Sequence, residues 1–312
     1  MSSSLPYTDT IISYTVAAVA LPLFAALINF CLPVKSKLAG WISILAILIG
    51  CVLSAIVFAR VWNQQPLHIQ TLWFTIGTTK VFAGILLNNL SALMLLLVSL
   101  IALPVHIYST AYMKHDDRYS RYFTYLSFFC FSMLGLVVVD SLVLFYAFWE
   151  LVGFSSYLLI GFWFTKDKAV QANKKAFIMN RVGDIGLLSA IIIIFAQFHT
   201  FDIAELFITN NLVFKSVVHD GLWISATGQM PAIWQYIAWL GVFMAVAAKS
   251  AQFPLHTWLP DAMEGPTSVS ALIHAATMVA AGVFLLGRVY PLFTDTELTV
   301  LAVIGCFTAF MA

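Results

Sequence analysis

The chain has 312 residues, of which 62% are hydrophobic and only 9% charged, and its mean hydropathy is +0.95. That composition excludes a soluble globular domain and indicates an all-α polytopic membrane protein. A formal net charge of +1, with no basic block or basic-aromatic stripe, excludes nucleic acid as a partner and leaves the lipid bilayer.

Crossing the hydrocarbon core takes about 20 apolar residues. By that length about nine spans are expected, near 11–31, 39–61, 84–108, 122–139, 141–163, 172–197, 233–251, 268–291 and 298–312. The opening MSSSLPYTDT has no basic residue before the first run, so that run is expected to remain as a span and not to be cleaved as a signal peptide. Between the second and third spans, residues 66–82 alternate around Gly77-Thr78-Thr79 and predict a short hairpin outside the bilayer. Residues 122–163 are too long for one crossing, and Asp140-Ser141 is their only polar break. That break predicts an N-cap and a tight turn between two antiparallel helices. In the connection 199–232, FDIAELF predicts one or two interfacial amphipathic turns. The last run reaches Ala312 without a cap or polar tail, as expected of a fragment or of a chain whose partner residues lie elsewhere.

Cys31, Cys51, Cys130 and Cys306 are scattered singly, without the spacing of an iron–sulfur or zinc site, and read as small buried apolar residues. No metal or redox cofactor is expected. Loops after odd-numbered spans hold nine Lys or Arg and those after even-numbered spans four, Arg60, Lys80, Lys215 and Arg288. The odd loops are therefore expected in the cytoplasm and the N-terminus on the periplasmic or equivalent side.

These thirteen loop cations leave two of the fifteen inside spans, Arg181 and Lys249. A charge at the bilayer centre costs from about 3 kcal/mol upward, so it persists where it faces protein or water. Glu150 lies nine residues into its span, roughly 14 Å deep, near the midplane. Arg181 and Asp184 are three apart on one helix face and are expected to neutralise each other, either as a structural ion pair or as part of a relay. Pro254 cannot donate to the carbonyl of Ser250, so the helix is expected to break just after Lys249, and broken helices at this depth usually line a hydrated path. Gly265-Pro266-Thr267-Ser268 restarts a helix that carries His274 two turns in. Against a relay stand the plainer readings that Lys249 snorkels to an interface and that His274 bonds a neighbouring helix. His256 beside the break reads equally as a loop residue or a relay member, and His106 reads as structural. Carboxylates, a lysine and a histidine in neighbouring spans supply the titratable chain that proton conduction through a dry medium requires.

FYAFWELVGFSSYLLIGFW around Glu150, NRVGDIGLL around Arg181 and Asp184, and KSAQFPLHTWLPDAMEGPTSVSALIHAATMVAAGV around Lys249 and His274 together resemble the antiporter-like subunits of respiratory complex I, most of all the subunit L type. The resemblance runs along essentially the whole chain. It implies a fold of two inverted five-helix repeats followed by a long lateral helix. Residues 1–121 would be N-terminal helices with an external hairpin, 122–291 the first repeat, and 292–312 the truncated start of the second. It also implies a charge pair between Glu150 and Lys249 in a proton input half-channel. His274 would pass the proton sideways, and the exit lysine would lie in a later broken helix absent here. The activity implied is proton translocation coupled to NADH:quinone oxidoreduction, in a hetero-oligomer with other complex I membrane subunits and no redox centre of the chain's own. The membrane implied is the bacterial plasma membrane, ahead of the mitochondrial inner membrane. The nearest rival is a subunit of a multisubunit cation/proton antiporter. An electron-transferring subunit is disfavoured by the lack of any cysteine cluster, GxGxxG or haem-like histidine arrangement. A passive scaffold predicts that neutral replacements of Lys249 and Glu150 cost nothing.

Overall fold

The computed structural model describes residues 6–77, 79–275 and 277–311, so Met1 to Leu5, Thr78 in the expected hairpin turn, Ala276 and Ala312 lie outside the described residues. The helices are α1 (Pro6–Cys31), α2 (Leu38–Val61), α3 (Asn89–Tyr112), α4 (Tyr119–Val138), α5 (Leu142–Ile160), α6 (Asp167–Phe198), the short α7 (Ile203–Phe207), α8 (Ile233–Lys249), the short α9 (Trp258–Asp261), α10 (Thr267–Ala275), α11 (Met278–Val289) and α12 (Asp295–Met311). Among the described residues seven segments are long and apolar enough to cross a membrane, counting α10 and α11 together, and α8 is a shorter apolar helix of 17 residues.

The third span begins later than hydropathy alone predicts. Residues 84–87 belong to a hairpin strand, because β1 (Leu67–Ile76) and β2 (Thr79–Leu87) pair antiparallel from Leu67↔Leu87 to Ile76↔Thr79. The helix then starts at Asn89, where the Asn88 side chain accepts from the Ser91 amide at 2.9 Å and fixes the boundary. Apolar residues in a strand and at the head of a span have the same hydropathy, so only the cap separates them.

The corner between α4 and α5 also differs from expectation. Neither Asp140 nor Ser141 caps α5 with its side chain. The exposed ends are satisfied by backbone pairing instead, with Leu142 N donating to Phe201 O (2.9 Å) and Ile203 N to Asp140 O (2.7 Å). Asp140 is thereby free to bond His68 Nε2 at 3.0 Å. FDIAELF forms α7, with Asp202 accepting from the amides of Ala204 and Glu205. A small antiparallel meander follows, β3 (Val217–His219), β4 (Leu222–Ser225) and β5 (Gly228–Pro231), in that order. No sequence feature singled it out in advance.

Small residues and serines hold the bundle together. Ser54, Ser99 and Ser132 return their hydroxyls to the carbonyl four residues earlier, which keeps them satisfied without water. The most extensive helix pair is α6 with α8. A Cβ on Gly186 would come 2.8 Å from the Gly241 carbonyl oxygen, so the two backbones approach as only glycine allows. Cys51 and Cys130 are buried as expected, but Cys31 and Cys306 are exposed.

Candidate functional site

The break at membrane depth is present, and its local cause starts before Pro254. Helix α8 ends at Lys249 with Gln252 N bonded to Ala247 O (2.8 Å) and Ala251 N to Ala248 O (3.4 Å), while Ala251 takes φ +50°. This is a Schellman ending with alanine in the left-handed position usually held by glycine. Trp258 Nε1 adds a donor at 2.8 Å to Ala248 O, whose regular helical partner Gln252 N is instead bonded to Ala247 O. Lys249, the last helical residue, is 0% exposed.

The expected single span over 268–291 is also broken. Helix α10 is described to Ala275 and α11 from Met278, and Thr277 lies outside helical geometry (φ −121°, ψ −95°), its hydroxyl donating to Leu272 O at 2.7 Å and its carbonyl accepting from Ala281 N at 2.7 Å. With no proline or glycine at this point, the break is hidden in the sequence, and a threonine that competes for backbone carbonyls is its only trace. A buried Ser109–Tyr122–Ser268 chain, with contacts of 3.0 Å and 2.6 Å, ties the start of α10 to α3 and α4.

Four of the six expected site residues come together. Glu150 on α5 pairs with Arg181 on α6, and Arg181 Nη1 lies 3.9 Å from Asp184 Oδ2. Asp184 Oδ1 is 4.0 Å from Lys249 Nζ and accepts from Trp149 Nε1 at 2.7 Å. Among the described ion pairs Lys249 meets Asp184 and Glu150 meets Arg181, so any Glu150–Lys249 pairing acts at longer range than a salt bridge. Asp184 is the carboxylate beside the lysine, and Glu150 is held by Arg181 one step away. The physical reason is the close crossing of α6 and α8, which brings Asp184 against the end of α8. Lys249 Nζ makes no hydrogen bond. It lies 5.4 Å from the centroid of the Trp149 ring and in a space left by Gly153, where a Cβ would sit 2.7 Å from Nζ. Neither Trp149 nor Gly153 was singled out from the sequence, although both flank Glu150 in FYAFWELVGF.

The remaining two stand apart. His274, half-buried on the last turn of α10, has no hydrogen-bond partner at either ring nitrogen. His256 lies in the turn after the break, stacked on Phe253 at 5.9 Å, with Nδ1 buried and unpartnered. No hydrogen bond joins either to Lys249 among the described residues. His106 is fully buried in α3, with Nδ1 2.8 Å from Ala102 O.

Arg288 corrects another reading. Counted above as a loop cation, it is 5% exposed and donates to Ser91 Oγ (2.7 Å) and Val137 O (3.1 Å). Position at the end of an apolar run does not reveal whether a cation turns inward or outward. Nearby, outside the spans, His68 bonds Asp140 and lies 3.8 Å from Asp202 Oδ1. The bond from Asp140 holds His68 above the usual imidazole range, and burial raises the carboxyl of Asp202. Among the described residues no group of three or more His, Cys, Asp or Glu is placed to hold a metal ion.

Residues 139–312 match the family described as NADH:quinone oxidoreductase/Mrp antiporter, TM, and residues 73–123 match NADH-Ubiquinone oxidoreductase (complex I), chain 5 N-terminus. NAD(P)H-quinone oxidoreductase chain 5 of Synechocystis sp. is 47% identical over 272 residues, 85% of this chain and 38% of that protein. The chloroplastic NAD(P)H-quinone oxidoreductase subunit 5 of Poa pratensis is 50% identical over 231 residues, 73% of this chain and 31% of that protein. The chain thus spans about a third of the length of these relatives. Two solved structures share its fold. The Mrp complex from Dietzia sp. superposes with a TM-score of 0.71 at 24% identity over 89% of this chain and 28% of that one. An archaeal membrane-bound sulfane sulfur reductase gives 0.70 at 18% identity over 89% and 41%. A mostly helical bundle with a lysine at the end of a broken helix, this chain belongs to the NADH:quinone oxidoreductase/Mrp antiporter transmembrane family.

Proposed function

We propose that the chain is a proton-translocating membrane segment of an NAD(P)H:quinone oxidoreductase, working in a hetero-oligomer with other membrane subunits. Electron transfer would take place in those partners. The observation that carries this reading is Lys249, fully buried, without a hydrogen bond, and 4.0 Å from Asp184 at a helix break. A buried amine with no hydrogen bond and one carboxylate at salt-bridge distance among the described residues is poised to take up and release a proton, where a structural lysine would be fully bonded. Glu150 and Arg181 form the adjacent switchable pair, and swinging Arg181 between Glu150 and Asp184 would alter the field at Lys249. His274 and His256, both with unpartnered nitrogens, are the onward carriers in this scheme. The division into 1–121, 122–291 and 292–312 remains part of the proposal, as does the exit route through a later broken helix.

The relatives carry the names chain 5 and subunit 5, not subunit L, and the subunit L reading rests on the motifs around Glu150, Asp184 and Lys249. For the membrane we retain a bacterial plasma membrane, with a cyanobacterial or plastid membrane as the alternative those relatives introduce.

The test is Lys249→Ala in the intact complex, reconstituted in vesicles. Proton uptake should be lost while quinone reduction persists in part. Near-normal uptake would make Lys249 structural and remove the main support for the reading. A cation/proton antiporter subunit is the second reading, favoured by the likeness to the Mrp complex. Co-purification with iron–sulfur subunits separates the two.

A further inference from the structure

Two buried cations lie on different levels of the bundle, Lys249 at its centre and Arg288 at the hairpin end of α11. Aromatic rings fill the interval. The Lys249 ammonium lies 5.4 Å from the Trp149 ring, which stacks on Phe145 at 5.8 Å and 29°. Phe145 stacks on Phe284 at 6.3 Å and 18°, and the Arg288 guanidinium lies 5.0 Å from Phe284. None of the three rings is more than 1% exposed. Their only polar atom, Trp149 Nε1, is already bonded to Asp184. Water needs two or more polar partners to enter such a space, and the column offers none.

The polarity changes on either side. Beyond Arg288, Asp140 is 1% exposed, has an unpartnered Oδ1, and lies within electrostatic reach of the guanidinium. It lines an open cavity of about 510 Å3 with Lys80, His199, Asp202 and Glu205, on the same face as the hairpin. On the other side of Lys249, Ser156, Asn180, Arg181 and Asp184 line a cleft between α5 and α6. Lys249 therefore meets polar groups on its α5–α6 side and three stacked rings on the side of the hairpin.

We propose that Trp149, Phe145 and Phe284 form a dry seal that keeps Lys249 from exchanging protons with the outer vestibule at Asp140 and Arg288. The inference rests on the proton-translocation reading and adds a direction to it. A proton loaded on Lys249 is denied the short route outward and must leave sideways or return. Apolar constrictions of this kind block conduction by staying dry, so what matters is apolar volume in the column.

The test reads passive proton flux with no substrate present, in vesicles holding the intact complex under an imposed pH gradient. Phe284→Ser and Phe145→Ser, each on its own, should raise proton conductance at least about tenfold, the result of lowering the barrier by about 1.4 kcal/mol. Phe284→Leu, which keeps the column apolar, should stay as tight as the parent. Adding Asp140→Asn to Phe284→Ser should reduce the leak, since the vestibule is its outer end. Retained quinone reduction reports that each variant has assembled, and having two serine variants keeps the test available if one does not. Assembled serine variants as tight as the parent, or an equal leak in Phe284→Leu, would overturn the seal. Because flux is read without turnover, its outcome is independent of whether Lys249→Ala abolishes pumping.

Discussion

Replacing Asp184 with asparagine isolates the charge that serves Lys249. The side chain keeps its shape, and its Oδ1 still accepts the 2.7 Å bond from Trp149 Nε1, so packing should survive. What is lost is the attraction across the 4.0 Å separation from Lys249 Nζ, worth about 4 kcal/mol at an effective dielectric of 20. Both groups are buried, at 2% and 0% exposure, so solvent screening discounts little of this. About 4 kcal/mol corresponds to roughly a thousandfold change in the fraction of lysine carrying its proton at a given pH. Glu150→Gln should do less, because Glu150 is held by Arg181 and lies beyond salt-bridge distance of the lysine. The assay is proton uptake per electron in vesicles containing the intact complex, for Asp184→Asn, Glu150→Gln, Lys249→Ala and the Asp184→Asn/Lys249→Ala double variant. Uptake should fall most in the variants that touch Lys249 or Asp184. The double variant should be little worse than Lys249→Ala, since the two residues act as a unit. Normal uptake in Asp184→Asn together with none in Glu150→Gln would refute the geometry, leaving Glu150 as the working counter-charge.

Other outcomes follow from features outside that pair. Both His68 and Asp202 have raised pKa values, so the folded hairpin end holds more protons than the unfolded chain and loses stability as pH rises. The His68 contribution is complete below about pH 6.5 and disappears as pH climbs through its raised value. Hydrogen exchange of the β1–β2 amides, corrected for intrinsic rate, should therefore speed up with pH, and His68→Gln should flatten the trend. Protection that increases with pH would contradict it. Ala251→Gly should stabilise the break by about 0.5–1 kcal/mol, since relief of a left-handed alanine outweighs the added freedom of the unfolded chain. Thermal unfolding of the detergent-solubilised protein measures this, and a lower midpoint would count against the Schellman assignment.

Hydropathy located the spans because the bilayer demands long apolar runs, and Pro254 announced the broken helix. Features that depend on which way a side chain turns were not legible. Ile85, Leu86 and Leu87 read as the head of a span and proved to be strand, since the deciding feature is the single cap at Asn88. Arg288 read as a loop cation because a basic residue ending an apolar run looks the same whether it faces water or Ser91. Thr277 gave no warning of a break, having neither the rigid φ of proline nor the freedom of glycine. Within the site, the three-residue spacing correctly put Arg181 and Asp184 on one face. Spacing along one helix says nothing about which face meets α8, so the position of Asp184 within 4.0 Å of Lys249 was not legible. The glycines that decide it, Gly186 and Gly241, are unremarkable until the helices are seen to cross on them.

That crossing has a mechanical consequence. Where two backbones touch through glycine, sliding or rolling one helix over the other forces main-chain atoms into each other with no side chain to yield. Helices α6 and α8 therefore behave as a single stiff beam on which Asp184 and Lys249 are both mounted, and their spacing resists change. Helix α5 meets α6 less extensively and carries Glu150 and Trp149. A push arriving from elsewhere in an assembly would find its compliant joint there. The moving part would be Glu150 against Arg181, while the lysine and its carboxylate ride together as a fixed reference.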